Sequence, residues 1–258
     1  MRCIMIRAGA LAFAVLASPL VPARVHATDP TDLIDVPTAT LIAHGSYEMG
    51  LRLYSDGGVL ANMDVGFRDL VMFGFSYGGT RVLGTGDPDW NPRVEFQFRG
   101  RILRETFAGP AIAAGFHSQG YGPFDDGDPN RYALKSRGFY AVATKNFLFL
   151  GESGLHGGVN YSLERDDDDK AVDFFLGCDK SAGPHVDLIA EYDLALNDDK
   201  DDNGFGEGKG YLNIGIVWRV STALQIEFDF RNVLENTEGE GGGAEWGREI
   251  QLVYRDFF

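Results

Sequence analysis

Several groups of residues in this chain have types and spacings that could do chemistry. His117 and Ser118 are neighbours, and a histidine beside a serine is the pairing that activates a hydroxyl nucleophile. Adjacency works against it, because successive side chains of an extended strand point to opposite faces. Asp199, Asp201 and Asn203, followed by Gly204, match the first half of a calcium loop, D-x-[DN]-x-[DN]-G. Its twelfth position is Gly210 instead of the bidentate glutamate, and Glu207 falls at the ninth. A solvated acidic loop is the simpler reading there and for the run Asp166–Asp169. Ca2+ in an outer loop is thus the one cofactor the sequence suggests. His156, Asn160 and Glu164 recur at multiples of two and share a side, which fits ordinary lining of a polar interior. No three-His or His-plus-carboxylate spacing suggests catalytic zinc. Cys178 is the one cysteine beyond the first 27 residues, so neither an internal disulfide nor a cysteine metal site is available.

A second constellation is electrostatic. Arg52, Arg93 and Arg99 fall in the first half of the chain, and Asp173, Asp187, Glu191, Glu227 and Asp229 in the second. Each lies in a stretch where polar and apolar residues alternate. Where such stretches close into a ring, the charges line one interior as two walls of opposite sign, which either pair across the space or set a transverse field over a water path.

The elements that must position these charges are strands. From residue 246 to the end, Ile250, Leu252, Tyr254 and Phe258 form one set and Glu249, Gln251 and Arg255 fall in the other. A period of two makes a strand with one apolar and one wet face. An apolar closing strand with an aromatic terminal residue resembles the assembly signal of bacterial outer-membrane barrels, with Asp256 as its departure. Eleven further stretches repeat the pattern, for example Tyr47, Met49, Leu51 against Glu48, Arg52, and Leu224, Ile226, Phe228 against Glu227, Asp229. A packed soluble core would not accept so many charges on the second set, whereas a wet or salt-bridged lumen does. The expected fold is all-β: a transmembrane antiparallel up-and-down barrel of about twelve strands.

Chain organisation agrees. Residues 1–27 read as a signal peptide: Arg2 and Arg7, then an apolar run from Ala8 to Val21, then Val25-His26-Ala27. Residues 28–45, interrupted by Pro37, are a lead-in expected to line the periplasmic mouth, because proline blocks a central ladder position. Residues 46–258 form the barrel. One set of connections is short, such as Arg68-Asp69, and the other is long and rich in Gly, Asp and Glu, such as 195–210; that is the inside–outside asymmetry of outer-membrane barrels. Trp218 and Trp246 are candidates for the interfacial aromatic girdle. The formal charge is −15, and loss of Arg2, Arg7 and Arg24 makes the remainder more acidic still. So acidic a chain excludes nucleic acid as a partner. The expected partners are outer-membrane lipid and the barrel assembly machinery.

Two resemblances add to this. Leu33-Ile34-Asp35-Val36-Pro37-Thr38-Ala39, Gly45, and Gly115-Phe116-His117-Ser118-Gln119-Gly120-Tyr121-Gly122 resemble segments of YjbH-like outer-membrane proteins, which implies a role in moving or managing surface polysaccharide. His117-Ser118 resembles the catalytic pair of outer-membrane phospholipase A, but there one residue separates the two. The resulting expectation is a non-enzymatic bacterial outer-membrane barrel, a narrow channel or accessory for surface polysaccharide or small polar solutes. The alternatives are a structural or adhesive barrel acting through acidic loops, and a barrel-embedded lipid hydrolase.

Overall fold

The computed structural model describes residues 29–127, 129–199, 206–236 and 247–258. The signal segment 1–27, the calcium-loop residues Asp201 and Asn203, and Trp246 lie outside them. The period-two stretches form β1 (Ser46–Tyr54), β2 (Gly58–Phe67), β3 (Val71–Thr80), β4 (Asp89–Trp90), β5 (Glu95–Leu103), β6 (Ala111–His117), β7 (Tyr121–Asp125), β8 (Arg131–Leu134), β9 (Gly138–Leu148), β10 (Glu152–Tyr161), β11 (Asp173–Ser181), β12 (Val186–Asp193), β13 (Tyr211–Arg219), β14 (Leu224–Arg231) and β15 (Gly247–Phe257).

Setting aside β4, β7 and β8, twelve strands pair antiparallel in chain order, and β15 returns to pair with β1, with Gly50 opposite Val253. The ring is therefore closed. Its outer surface carries the apolar set: Phe73, Phe75, Phe96, Phe98, Leu155 and Leu176 are all large and exposed. The polar set faces inward and is buried, as with Arg52, Asp64, Arg99, Glu191 and Asp229. That inversion of a soluble protein is what lipid demands, and closure leaves no unpaired edge for the bilayer to meet. The strands that form the ring run 7 to 11 residues, close to the roughly 9–11 that cross a bilayer when tilted. Trp90 at one rim and Trp218 at the other are both about half exposed, at the two levels where an aromatic girdle belongs.

The short connections gather at one end of the barrel and the long ones at the other, except for the three-residue β1–β2 turn, which lies at the long-loop end against Arg81 and Leu83. Two of the long connections contain structure that periodicity did not reveal. β4 adds to the rim of β3, stacking Trp90 on Tyr77 at 5.8 Å. β7 and β8 form a hairpin between β6 and β9, with Tyr132, Ala133 and Leu134 buried. It folds inward: the Arg52 and Arg231 guanidiniums lie 4.7 and 5.0 Å from the centre of the Tyr121 ring.

The lead-in differs most from expectation. Only its ends rest at the mouth, with Asp29 and Pro30 partly exposed and Ala43 and His44 exposed; residues 31–42 run inside the lumen. Leu33, Ile34, Val36, Ala39, Leu41 and Ile42 are at most 7% exposed, and the segment touches β1, β2, β5, β9, β11, β12, β13 and β14. The reason is physical. This stretch is more apolar than the inward wall, so burial there stabilises it, while its backbone amides and carbonyls neutralise wall charges that would otherwise be buried unpaired. Pro37 suits it, because a plug makes no ladder. A hydrogen bond from Leu33 N to the Val36 carbonyl (2.9 Å) and one from Thr38 N to the Thr31 carbonyl (3.0 Å) fold it into a tight loop.

Candidate functional site

The candidate site is the contact between this loop and the charged wall. The amide N–H groups of Ile34, Asp35 and Val36 all donate to the Glu191 carboxylate of β12, at 2.9 Å each. Three consecutive amides converging on one carboxylate make an anion nest, and Asn213 Nδ2 of β13 donates to the same group at 2.7 Å. On the opposite side of the loop tip, the Asp35 carboxylate accepts from Arg52 Nη1 of β1 at 2.6 Å and from Arg231 Nη2 of β14. Burial alone would raise the Asp35 carboxyl; the Arg231 and Arg52 guanidiniums outweigh it and hold it below its ordinary value. Arg52 also donates to the Ile34 carbonyl at 2.5 Å, and Arg231 to Glu249 at 2.8 Å.

Arg99 of β5 holds the base of the loop. Its guanidinium donates to the Thr31 carbonyl (2.5 Å), the Thr40 carbonyl (3.1 Å) and Asp32 Oδ1 (2.7 Å), while its Nε donates to the Tyr140 hydroxyl (2.7 Å). Wall glycines make room for the segment. A Cβ on Gly66 would sit 2.2 Å from the Ile42 carbonyl oxygen, and one on Gly177 would sit 2.2 Å from Leu33 Cδ1. Leu33, Ile34, Ile189 and Val217 form a buried apolar cluster between loop and wall.

The expected charged walls are thus placed as follows. Arg52, Arg99 and Glu191 grip the loop. Glu227 and Asp229 face inward on β14, and Glu227 Oε2 and both Asp229 oxygens lack a hydrogen-bond partner. Asp187 pairs with Arg219 at 2.9 Å near the turn end, and Asp173 accepts the Leu196 amide at 2.9 Å near the loop end. Arg93 departs from expectation: it stands outside the lumen at the loop-end rim, with its side chain 53% exposed and Nε 2.9 Å from Glu95. It precedes the first residue of β5, so strand parity does not govern it. Nor do the two signs oppose each other as bare walls, because the loop lies between them and bonds to both. Arg231, Glu249 and Arg137 belong to the same set and were not singled out by the sequence, although alternation puts the first two on the inward face. Asp35 had no signal, since nothing in its neighbourhood marks it as leaving the rim.

The hydroxyl and imidazole candidates resolve too. Ser118 Oγ bonds the backbone of Phe96, through its N–H at 2.8 Å and its carbonyl at 3.2 Å, while His117 borders a lumen cavity. Among the described residues a more suggestive chain runs from Thr144 Oγ to His156 Nδ1 (2.9 Å) and from His156 Nε2 to Asp179 Oδ1 (2.8 Å). Thr144 Oγ, however, also accepts the Ala39 amide at 2.8 Å and is buried beneath the loop. Through that bond Thr144, and His156 behind it, seat the plug.

At the loop end the acidic run divides: Asp166 and Asp168 are exposed, as expected of a solvated run, and the other two differ. Asp167 and Asp169 are buried, not solvated: Arg131 Nη1 reaches Asp167 Oδ2 at 2.5 Å and Asp198 Oδ1 at 2.8 Å, and Lys135 Nζ reaches Asp167 at 2.6 Å. Burial pushes the Asp167 carboxyl up, but Lys135 and Arg131 prevail and hold it below its ordinary value. Glu164 fastens the same hairpin by accepting the Ser136 and Tyr132 amides at 2.6 and 3.2 Å. Of the half calcium loop, Asp199 is the described member, and its amide approaches Asp169 at 3.4 Å. Among the described residues no three acidic, His or Cys groups converge as metal ligands.

Polar cavities lie on both sides of the plug. One near the turn end, open to solvent, spans about 660 Å³ and is bordered by Asp32 and Leu33 of the loop. Another, of about 410 Å³, opens near the loop end between Asp35, Arg137, Asp173 and Asp193. A third of about 520 Å³, bordered by Asp32, Arg52 and Tyr121, lies between them.

No family model and no curated protein sequence matches the chain. Among solved structures it is similar to the KdgM porin at 9% identity, covering 83% of this chain and 99% of that one with a TM-score of 0.48. It is similar to the Acinetobacter baumannii outer membrane protein Omp33 at 9% identity, 83% and 97% coverage and a TM-score of 0.45. It is also similar to an outer membrane channel from Pseudomonas putida F1 at 12% identity, 89% and 100% coverage and a TM-score of 0.46. The functional reading of this barrel rests on its own residues.

Proposed function

We propose that this chain is a narrow, non-enzymatic channel of the bacterial outer membrane for small polar solutes, and that its N-terminal lead-in is the plug that keeps it shut. One observation carries the reading: the lead-in occupies the lumen between polar cavities, and the wall holds it through a small set of charge-assisted contacts that can break and re-form. Outer placement follows from the signal segment, the lipid-facing exterior and the apolar closing strand, which the barrel assembly machinery would receive. Burial of Leu33, Ile34, Val36 and Ile42 contributes roughly 1.5–3 kcal/mol per side chain, so the closed state is the resting one.

The test is conductance of the refolded protein in planar bilayers. Wild type should be silent or rarely open, and a variant lacking residues 29–44 should conduct steadily. A deletion variant that folds and stays silent removes the channel reading.

A second reading is a surface-polysaccharide accessory, in the manner implied by the YjbH-like resemblance. It is favoured by the filling of the lumen from both ends, by the lead-in, which carries one resembling segment, and by the β7–β8 hairpin, into whose first strand the other segment runs from β6. On that reading the loop-end surface does the work, and retention of extracted surface polysaccharide by the folded protein, unchanged by plug deletion, supports it.

A further inference from the structure

The turn-end cavity carries an inference beyond conduction. Six carboxylates line it, those of Asp29, Asp32, Glu152, Asp179, Asp187 and Glu227, against the single guanidinium of Arg219. The other five acids are engaged: Asp32 bonds Arg99, Asp179 bonds His156, Asp187 bonds Arg219, Asp29 accepts from Asn146 at 3.4 Å, and Glu152 too has a partner. Glu227 stands apart. It is 6% exposed, it borders the cavity, and its Oε2 has no hydrogen-bond partner. Two residues along β14 on the same face, Asp229 leaves both oxygens without a partner, and it lies directly opposite Glu249 in the register with β15. A buried carboxylate without a donor costs several kcal/mol unless a cation meets it. The guanidinium that shares the cavity, that of Arg219, is already paired with Asp187, so the position can take a cation from outside.

The lining decides which cation. Among the described residues no three carboxylates converge as metal ligands, so a bare metal ion is not what the cavity offers. The carboxylates are spread along a cleft in which Pro30, Leu33, Phe147, Ile189 and Val217 supply a strip of apolar wall beside the polar Asn146, Ser153, Ser181 and Gln225. Separated anionic points joined by an oily strip complement a short alkyl chain with an ammonium at each end. Asp29, Pro30, Glu152 and Ser153 at the rim are partly exposed, so such a molecule enters from the turn end with the plug seated.

We infer that the turn-end cavity is a binding site for linear aliphatic diamines, with Glu227 receiving the deeper ammonium and the Asp29–Glu152 rim the outer one. The site goes beyond the channel reading and does not require the barrel to conduct.

Isothermal titration of the full-length refolded protein with 1,4-diaminobutane at neutral pH tests it, with butylamine and Mg2+ as competing probes. Diaminobutane should bind at least ten-fold more tightly than either. Glu227→Gln, with barrel integrity checked by unboiled gel mobility, should weaken it at least ten-fold, and Asp56→Asn on a distant turn should not. Gln225→Lys, which adds an ammonium on the same face of β14, should abolish binding and serves if the first variant fails to fold. The inference is overturned if no diamine binds, if butylamine or Mg2+ binds equally well, or if both Glu227→Gln and Gln225→Lys leave the titration unchanged. Any of these leaves the conductance of the plug-deleted barrel unaffected as a separate result.

Discussion

Glu191 holds Asp35 by its backbone and not by its side chain. The carboxylate accepts the Asp35 amide at 2.9 Å together with the amides on either side, leaving the Asp35 carboxylate free to turn toward Arg52 and Arg231. The loop tip is thus gripped from two sides by charges of opposite sign, and each grip can be removed separately.

Removing the first should unlatch the plug while leaving the ring intact. Hydrogen bonds to a charged acceptor contribute about 1.5–3 kcal/mol each. Glu191→Gln, which keeps one acceptor oxygen but loses the charge, should raise the open fraction in single-channel records by about ten- to a hundredfold. An unchanged open fraction would mean that the nest does not latch the loop.

Gly66 offers a purely steric route to the same end. A Cβ there would lie 2.2 and 2.3 Å from the carbonyl oxygens of Ile42 and Ala43, so Gly66→Ala should push the base of the lead-in off β2 and expose it to protease added in solution. Gly100→Ala is the control, because its nearest neighbour would be 3.8 Å away. Equal cleavage of the two variants would contradict a seated loop.

Acid should loosen the second grip. Asp35 is held below its ordinary value of 3.8 when seated, despite the burial that opposes this, because Arg231 and Arg52 favour its ionised form. A group depressed in the closed state favours that state above its ordinary value, and the contribution is lost as pH falls below 3.8 toward the seated value. Wild-type open fraction should therefore rise between about pH 4 and pH 2. Asp35→Asn, already deprived of the pair, should be more open at neutral pH and show less of that acid rise.

The direction of the two faces can be read from one thiol. Cys178 is free and exposed on β11, in the outward set with Leu176. In vesicles it should react with an apolar maleimide and resist a charged methanethiosulfonate. Leu176→Arg on the same face should cost about 2–4 kcal/mol in unfolding titrations if it lies near the bilayer midplane. Rapid reaction of Cys178 with the charged reagent would place that face in water.

Much of this was legible in the sequence, because a strand exposes its environment through a period of two. The alternation of Phe73, Phe75 and Tyr77 with Gly74 and Ser76, or of Phe228 and Phe230 with Glu227 and Asp229, reports lipid on one side and charge on the other. It also placed Arg52, Arg99 and Glu191 on the inward face. What stayed hidden has no period. Leu33–Ala39 is apolar without alternation, so nothing local distinguishes a rim segment from one drawn through the lumen; the deciding partners, Glu191 and Arg231, are 156 and 196 residues from Asp35. Arg93 sits two residues before β5, outside the strand, where parity ceases to apply. The buried pairs of Asp167 and Asp198 with Arg131 join separate loops, and an acidic run looks the same whether it is solvated or tied.

The lead-in enters the ring ahead of β1, yet the ring is sealed only when β15 meets that same strand. The lead-in and the seam therefore share β1, while Glu191 and Arg231, the residues that grip the loop tip, stand on strands late in the chain. The grip on the loop tip is thus complete only once the strands that seal the wall are in place.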